Sequence, residues 1–318
     1  MADKSCSPEF EVQILGEAVQ GLLSKIIVTE EIKNRVFESV EKDILKRYGP
    51  LPQIVEIKVK GKEPKPITGV FHEAFSTVCK LVGLDLPVYL SGEAGTGKNW
   101  ICKQVAEALE LPFYFSNAIQ QEHQITGFID AGGIYHETQF YKAFKDGGLF
   151  FMDELDASIP EVLIILNAAI ANRYFNFPCG KVEAHPDFRV IAAGNTYGTG
   201  ADNVYSGRYC LDGASMDRFN IIPIKYSKRI EEAITNGDEE LLDFCHAFRG
   251  ITKNSGINCI FSYRALDAIT KLKDTLPIKV ALKICLIKGM DKDDLILIQK
   301  NMTGIPESNK YLKALKEL

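Results

Sequence analysis

The feature that most constrains this chain is a glycine-rich octet, Gly92-Glu93-Ala94-Gly95-Thr96-Gly97-Lys98-Asn99, set between two different hydrophobic patterns. Before it, residues 88–90 form a short apolar run. After it, Ile101, Val105, Ala108 and Leu109 recur at helical spacing. Strand, glycine loop and helix, in that order, are what a phosphate-cradling loop requires. Glycines let successive backbone N–H groups converge on oxygens, and the helix N-terminus adds partial positive charge. In such a loop Lys98 reaches the outer phosphates as a point charge. Asn99 stands where Ser or Thr commonly gives a hydroxyl to Mg²⁺; its amide oxygen would ligate the ion directly or through water. The competing reading is a glycine-rich turn that holds nothing.

Residues 149–152 form a buried-strand run that ends in Asp153-Glu154, with Asp153 fifty-five positions after Lys98. A parallel strand covered on both faces delivers its C-terminal residues to the ligand crevice of an open α/β sheet. There Asp153 would hold Mg²⁺ and Glu154 would polarise an attacking water. Ser158-Ile159-Pro160-Glu161, just beyond, has the spacing of a capping box ahead of an apolar helix. A third strand-like run, residues 189–193, is followed by Gly194-Asn195. An amide there can position the water or touch the terminal phosphate; its plain alternative is an ordinary turn asparagine.

Short apolar runs at 88–90, 113–115, 149–152, 189–193 and 221–224 alternate with helical stretches, which argues for a parallel sheet covered on both faces. From residue 227 onward only helical patterns occur, at 238–249, 262–272, 278–289 and 291–301. Near the start, Ile32, Val36, Val40 and Ile44 mark an amphipathic helix, and residues 54–59 alternate as a strand. The polar stretch 60–66, with two prolines, reads as a linker. Expected units are therefore 1–66, a nucleotide-binding core at 67–226 and a helical lid at 227–318.

Composition closes off other classes. With 46% hydrophobic residues and a net charge of −5 over 318 residues, disorder is excluded as the dominant state. No apolar run approaches the ~20 residues of a membrane span, and the opening residues lack the apolar core of a secretory leader. A soluble cytoplasmic protein is expected. The eight cysteines are scattered, with no CxxC, and read as reduced thiols rather than a zinc site or disulfide frame. His72-Glu73 and His136-Glu137 begin like a metalloprotease motif, but Ser76 and Phe140 stand where its second histidine belongs.

Taken together, residues 92–99, 148–156 and 190–196, with Asp217-Arg218-Phe219 and Ser262-Tyr263-Arg264, resemble the AAA+ ATPases, within them the MoxR-like and cobalt-chelatase-ATPase branch of dynein-related domains. The resemblance spans about residues 68–275. It implies an α/β P-loop fold, an αβα core with a parallel sheet followed by a small helical lid, with ATP and Mg²⁺ as ligands. Asn195 matches sensor 1. Arg218 matches the arginine finger that enters a neighbouring subunit's site, a contribution of roughly 10³–10⁵ in rate where it operates. Arg264 matches sensor 2, acting in cis, and Arg208 is a competing basic candidate. For each arginine the plain alternative is a surface charge or an intersubunit salt bridge.

The branch also carries two hairpin insertions, for which residues 126–135 and 174–183 are the counterparts. Phe128, in the first, is a candidate pore-loop residue, although an aromatic in a hairpin is more often simply packed. The resemblance further implies a homo-oligomer, a hexameric ring, acting on a protein substrate, with a von Willebrand A-type domain on a separate chain as one such partner. A DNA-handling motor is the alternative; residues 125–136 carry Asp130 and no Lys or Arg, which favours protein over nucleic acid. A nucleotide switch with little turnover is the third reading. No membrane partner is implied.

Overall fold

The computed structural model describes Arg35, residues 53–57 and residues 65–318 apart from 202–204. Of the helix expected around Ile32 to Ile44 only Arg35 is among the described residues, and it is helical.

At the centre is a five-stranded, wholly parallel sheet: β3 (Val88–Ser91), β4 (Phe113–Ser116), β7 (Gly148–Met152), β10 (Phe188–Gly194) and β11 (Asn220–Pro223). Their spatial order is β11-β3-β10-β7-β4. The chain leaves β3 for the far edge at β4, returns through β7 and β10, and crosses β3 to reach β11. That reversal of direction opens a crevice at the strand ends beside β3 and β10, where open α/β sheets bind ligands.

The strands are buried on both faces because their side chains alternate between two cores. Phe150 and Met152 of β7, with Val190 and Ala192 of β10, enter a core built with α4 (Gln139–Asp146) and α5 (Pro160–Asn172). Leu149, Phe151, Ile191 and Ala193 enter the opposite core, with α1 (Phe75–Gly83) and α2 (Lys98–Ala108). Each fully buried Phe contributes roughly 1.5–3 kcal/mol, so the sheet is held rigidly beneath the loops it carries.

Two short hairpins stand at the expected insertions. One pairs β5 (Phe128–Ile129) with β6 (Tyr135–His136), and the other pairs β8 (Tyr174–Phe177) with β9 (Gly180–Glu183). A third, antiparallel, joins β1 (Gln53–Ile57) to β2 (Lys65–Gly69). Strand β2 thus runs through the end of the stretch that reads as a linker. Val55 and Ile67 pack against the second core, and Pro66 lies in an edge strand, where a proline is tolerated.

Beyond β11 come helices α7 (Lys228–Thr235), α8 (Glu239–Asn254), α9 (Tyr263–Leu272), α10 (Ile278–Leu282), α11 (Lys292–Asn301) and α12 (Lys310–Lys316). They enclose a core of their own around Phe244, Phe248, Leu266, Leu282 and Tyr311. Ser262 caps α9 as its sequence position predicts, accepting from Ala265 N. Two local expectations fail. The helix expected over 278–289 becomes a short α-helix followed by a π-helical turn, Lys283–Ile287. The capping box at Ser158 does not form: Ile159 is the N-cap of α5, with Pro160 opening the helix, and Ser158 Oγ accepts from Ile119 N instead. Among the described residues no helix is long and apolar enough to cross a membrane.

Candidate functional site

The glycine octet does link β3 to α2, and its backbone is held on three sides. Gly92 N donates to Gly194 O at the end of β10. Tyr205 Oη accepts from Ala94 N, while Tyr226 Oη donates to Ala94 O at 3.1 Å. Glycine is obligatory at two points for reasons of space. A Cβ on Gly92 would stand 2.1 Å from Ile224 O; one on Gly95 would stand 2.3 Å from Ser262 Cβ, at a φ of +76°. The first turn of the lid helix therefore lies directly on the loop, and Tyr263 N donates to Gly95 O across the contact.

Lys98 is buried, and its Nζ donates to Gly92 O at 2.6 Å, Glu93 O at 3.0 Å and Asn195 Oδ1 at 3.0 Å. Burial brings its pKa down to about 8; Asp153 and Asp156 work against that shift, while Arg208 and Arg264 add to it. An ammonium folded onto carbonyls and disfavoured by burial is one that an anion would stabilise. Asn99 Nδ2 donates to Asp153 Oδ2 at 2.7 Å, so the first residue after the lysine and the first acid after β7 are in contact. Thr96 Oγ1 turns back to Glu93 O and closes the loop.

Asp153 and Glu154 follow β7, Asn195 follows β10, and Lys98 touches Asn195, so residues distant in sequence share one crevice. Glu154 adopts φ +52°, a left-handed conformation uncommon outside glycine and of the kind that concentrates at functional sites. Arg264 is exposed on the first turn of α9, near enough to Lys98 to oppose its charge. Arg218 is exposed just after α6 (Gly213–Met216); its hydrogen bond goes to Ala214 O, and none goes to Asp153, Glu154 or Asn195. Phe128 is half-exposed and stacks on His136 with ring centroids 4.8 Å apart.

Two residues that the sequence left in the background belong to this crevice. Asp156 is wholly buried, and its Oδ2 accepts from Asn195 N, Thr196 N and Thr196 Oγ1, each at 2.9 Å. It fixes the loop that carries Asn195. Arg208 is neither a surface charge nor free for another subunit: its guanidinium lies between Asp156 at 3.2 Å and Glu154 at 3.3 Å. The sequence signal available was Asp156 at three positions past Asp153, which reads as helix capping until β10 is brought beside it.

For a divalent cation the crevice offers the Asp153 carboxylate and the Asn99 amide, whose oxygens are hard donors suited to Mg²⁺, an ion that takes one or two protein ligands and completes its shell with water and phosphate. The residues fit that group.

A glycine loop opening a helix, an acidic pair on the next strand but one and an amide on the strand between them define a P-loop nucleoside-triphosphatase core with a helical lid. Residues 87–208 match the family model of the AAA domain, dynein-related subfamily, so this segment of the chain is similar to that domain. Similar proteins include an uncharacterised protein of Staphylococcus aureus (strain USA300), 26% identical over 243 residues, covering 69% of this chain and 90% of that one. Another, from Staphylococcus epidermidis (strain ATCC 12228), is 27% identical over 250 residues with the same coverage. Among solved structures, NtrX from Brucella abortus superposes with a TM-score of 0.43 at 16% identity, covering 76% of this chain and half of that one.

Proposed function

We propose that this chain hydrolyses ATP at interfaces between its own copies, arranged as a hexameric ring in the cytoplasm, and uses the cycle to remodel or activate a partner protein. Residues 67–226 act as the nucleotide core and 227–318 as its lid, with 1–66 left for docking or support. The observation that carries the reading is the division of charge: Lys98, Asp153, Glu154 and Asn195 converge in one crevice, whereas Arg218 points to solvent with only a backbone carbonyl as partner.

In this scheme the backbone of Gly92, Glu93, Ala94, Gly95, Thr96 and Gly97 holds the phosphates, and Lys98 leaves the Gly92 and Glu93 carbonyls for phosphate oxygens. Asp153 and Asn99 would hold Mg²⁺, which when bound neutralises charge between the outer phosphates. Glu154 orients a water for in-line attack at the terminal phosphorus and accepts its proton, Asn195 holds that water or the phosphate, and ADP departs. Arg264 contacts phosphate from the same chain. Arg218 of a neighbour neutralises charge that develops in the transition state, which requires a head-to-tail interface able to close into a ring. The half-exposed Phe128 supports a substrate grip. A von Willebrand A-type protein is the partner class to test first. The hairpin's lack of Lys and Arg weighs against the DNA-motor reading.

Turnover measured against protein concentration tests the scheme. Specific activity should rise with concentration and nearly vanish in Glu154→Gln and Arg218→Ala, with ATP still bound by Glu154→Gln. Activity that ignores concentration and survives Arg218→Ala refutes the trans finger, and wild-type protein without turnover returns the switch reading.

A further inference from the structure

Glu154 and Asn195, which hydrolysis would set on the same water, stand after different strands, β7 and β10. Both are tied to one buried carboxylate. Asp156 Oδ2 accepts from Asn195 N at 2.9 Å, and Asp156 Oδ1 accepts from Arg208 Nη1 at 3.2 Å. The other arm of that guanidinium, Nη2, donates to Glu154 Oε1 at 3.3 Å. A chain of contacts thus runs from the end of β10 through Asp156 and Arg208 to Glu154, and every link has an ionised partner.

The members of this chain differ in freedom. The Asp156 side chain is wholly buried, that of Arg208 is 11% exposed and that of Glu154 is 40% exposed. The backbone beside Arg208 is pinned as well, since Tyr209 N donates to Asp156 O at 2.7 Å. Removing the cation from a buried carboxylate leaves an uncompensated charge, the costly way to break a buried ion pair. Asp156 therefore holds Arg208 in place, and Glu154 is the partner with room to move. A guanidinium is planar and its donors form a rigid fork. With one arm fixed on Asp156, the direction of the other is set.

We propose that Arg208 is a positioning residue for hydrolysis: anchored on Asp156, it holds the Glu154 carboxylate by one oxygen at a fixed place relative to Asn195 and leaves the other oxygen to the attacking water. This rests on the reading of Glu154 as the base and deepens it, because one buried carboxylate then sets both groups that handle the water. The competing role is that of a direct phosphate ligand. Arg208 is near enough to Lys98 to oppose its charge, but a move onto phosphate would strip Asp156 of its cation.

Arg208→Lys and Arg208→Met would be compared with the wild type by melting curve, by ATP and ADP affinity, and by single-turnover hydrolysis at saturating ATP. The protein concentration is one at which wild-type specific activity has levelled off. Lysine keeps a cation beside Asp156, so it carries the test however the methionine variant folds, yet one ammonium cannot reproduce a fork across two carboxylates. Expected for Arg208→Lys are a melting curve like the wild type's, nucleotide affinities within about threefold, and a hydrolysis rate at least about tenfold lower. Arg208→Met should lose about 100-fold, as a misplaced reacting group does. On a Glu154→Gln background Arg208→Lys should cost less than about twofold more, since the group it positions is gone. An unchanged rate in Arg208→Lys, with Glu154→Gln inactive, overturns the positioning role and leaves the base standing. ATP affinity reduced with ADP affinity intact makes Arg208 a phosphate ligand and overturns it too. So does faster turnover, or a rate that falls only in step with the melting temperature. Turnover that survives Glu154→Gln, or wild-type protein without turnover, removes the reading of the base and this proposal together.

Discussion

Lys98 gives the sharpest prediction, because its protonation is set by where the fold puts it. Burial holds its pKa at about 8, well below the ordinary lysine value of 10.5. Phosphate oxygens favour the ammonium, so nucleotide binding draws a proton onto the chain wherever the free site has lost one. At pH 7 about nine-tenths of free sites carry the charge, and at pH 9 about one-tenth. ADP should therefore bind roughly tenfold more weakly at pH 9, a loss of ~1.4 kcal/mol. At pH 8 the uptake should be about half a proton per site. Calorimetry in two buffers of different ionisation enthalpy measures both, and phosphate ionisation, with its pKa near ~6, is nearly complete across the range. Lys98→Met should bind weakly and show no such dependence. The nucleotide-free fold responds in the opposite sense. Below pH 8 the full burial penalty of about 3 kcal/mol is present. Between pH 8 and 10.5 the unfolded chain binds the proton that the folded chain has shed, so stability gains with pH from this group. Affinity flat from pH 7 to 9 with no proton uptake would refute the account of Lys98.

Three further outcomes are expected. Gly95→Ala places a methyl against Ser262 at a positive φ, so nucleotide affinity should fall at least about tenfold and the melting temperature by several degrees; a variant that binds normally shows that loop and lid are not in contact. Asp156→Ala strands Arg208 and the amides of Asn195 and Thr196, which should cost about 3–5 kcal/mol in denaturant unfolding, and an unchanged midpoint argues against its structural role. In a Cys6→Ser background, mass mapping after brief alkylation should find label at exposed Cys179 and Cys210, but not at Cys79 or Cys245, whose thiols burial pushes up to about 12; early label at either buried position contradicts the packing.

Much of the core was legible because each strand carries its own apolar run and each functional residue directly follows one: Gly92 after β3, Asp153 after β7, Asn195 after β10. Local pattern fails where a partner far along the chain decides. Asp156 is indistinguishable from a capping acid until β10 delivers three donors to it. Arg208 reads as a surface charge because nothing nearby in sequence is its counterion. Pro66 reads as a breaker, yet edge pairing with β1 tolerates it. Ser158 has the spacing of a cap, but Pro160 opens the helix and its hydroxyl is claimed by Ile119.

The contact between Gly95 and the start of α9 makes the octet mechanical as well as chemical. The lid has its own hydrophobic interior and meets the sheet domain where Tyr263 N donates to Gly95 O, where Ser227 Oγ donates to Glu73, and where the Arg249 guanidinium stacks 3.5 Å from the ring centroid of Tyr226, whose Oη donates to Ala94 O. The first of these falls on the loop itself, and the Tyr226 hydroxyl links the third to it. Helix α9 extends about 15 Å from that point. It is a lever whose fulcrum is the phosphate loop, so a displacement of a few tenths of an ångström at Ala94 or Gly95 is magnified at the helix's far end.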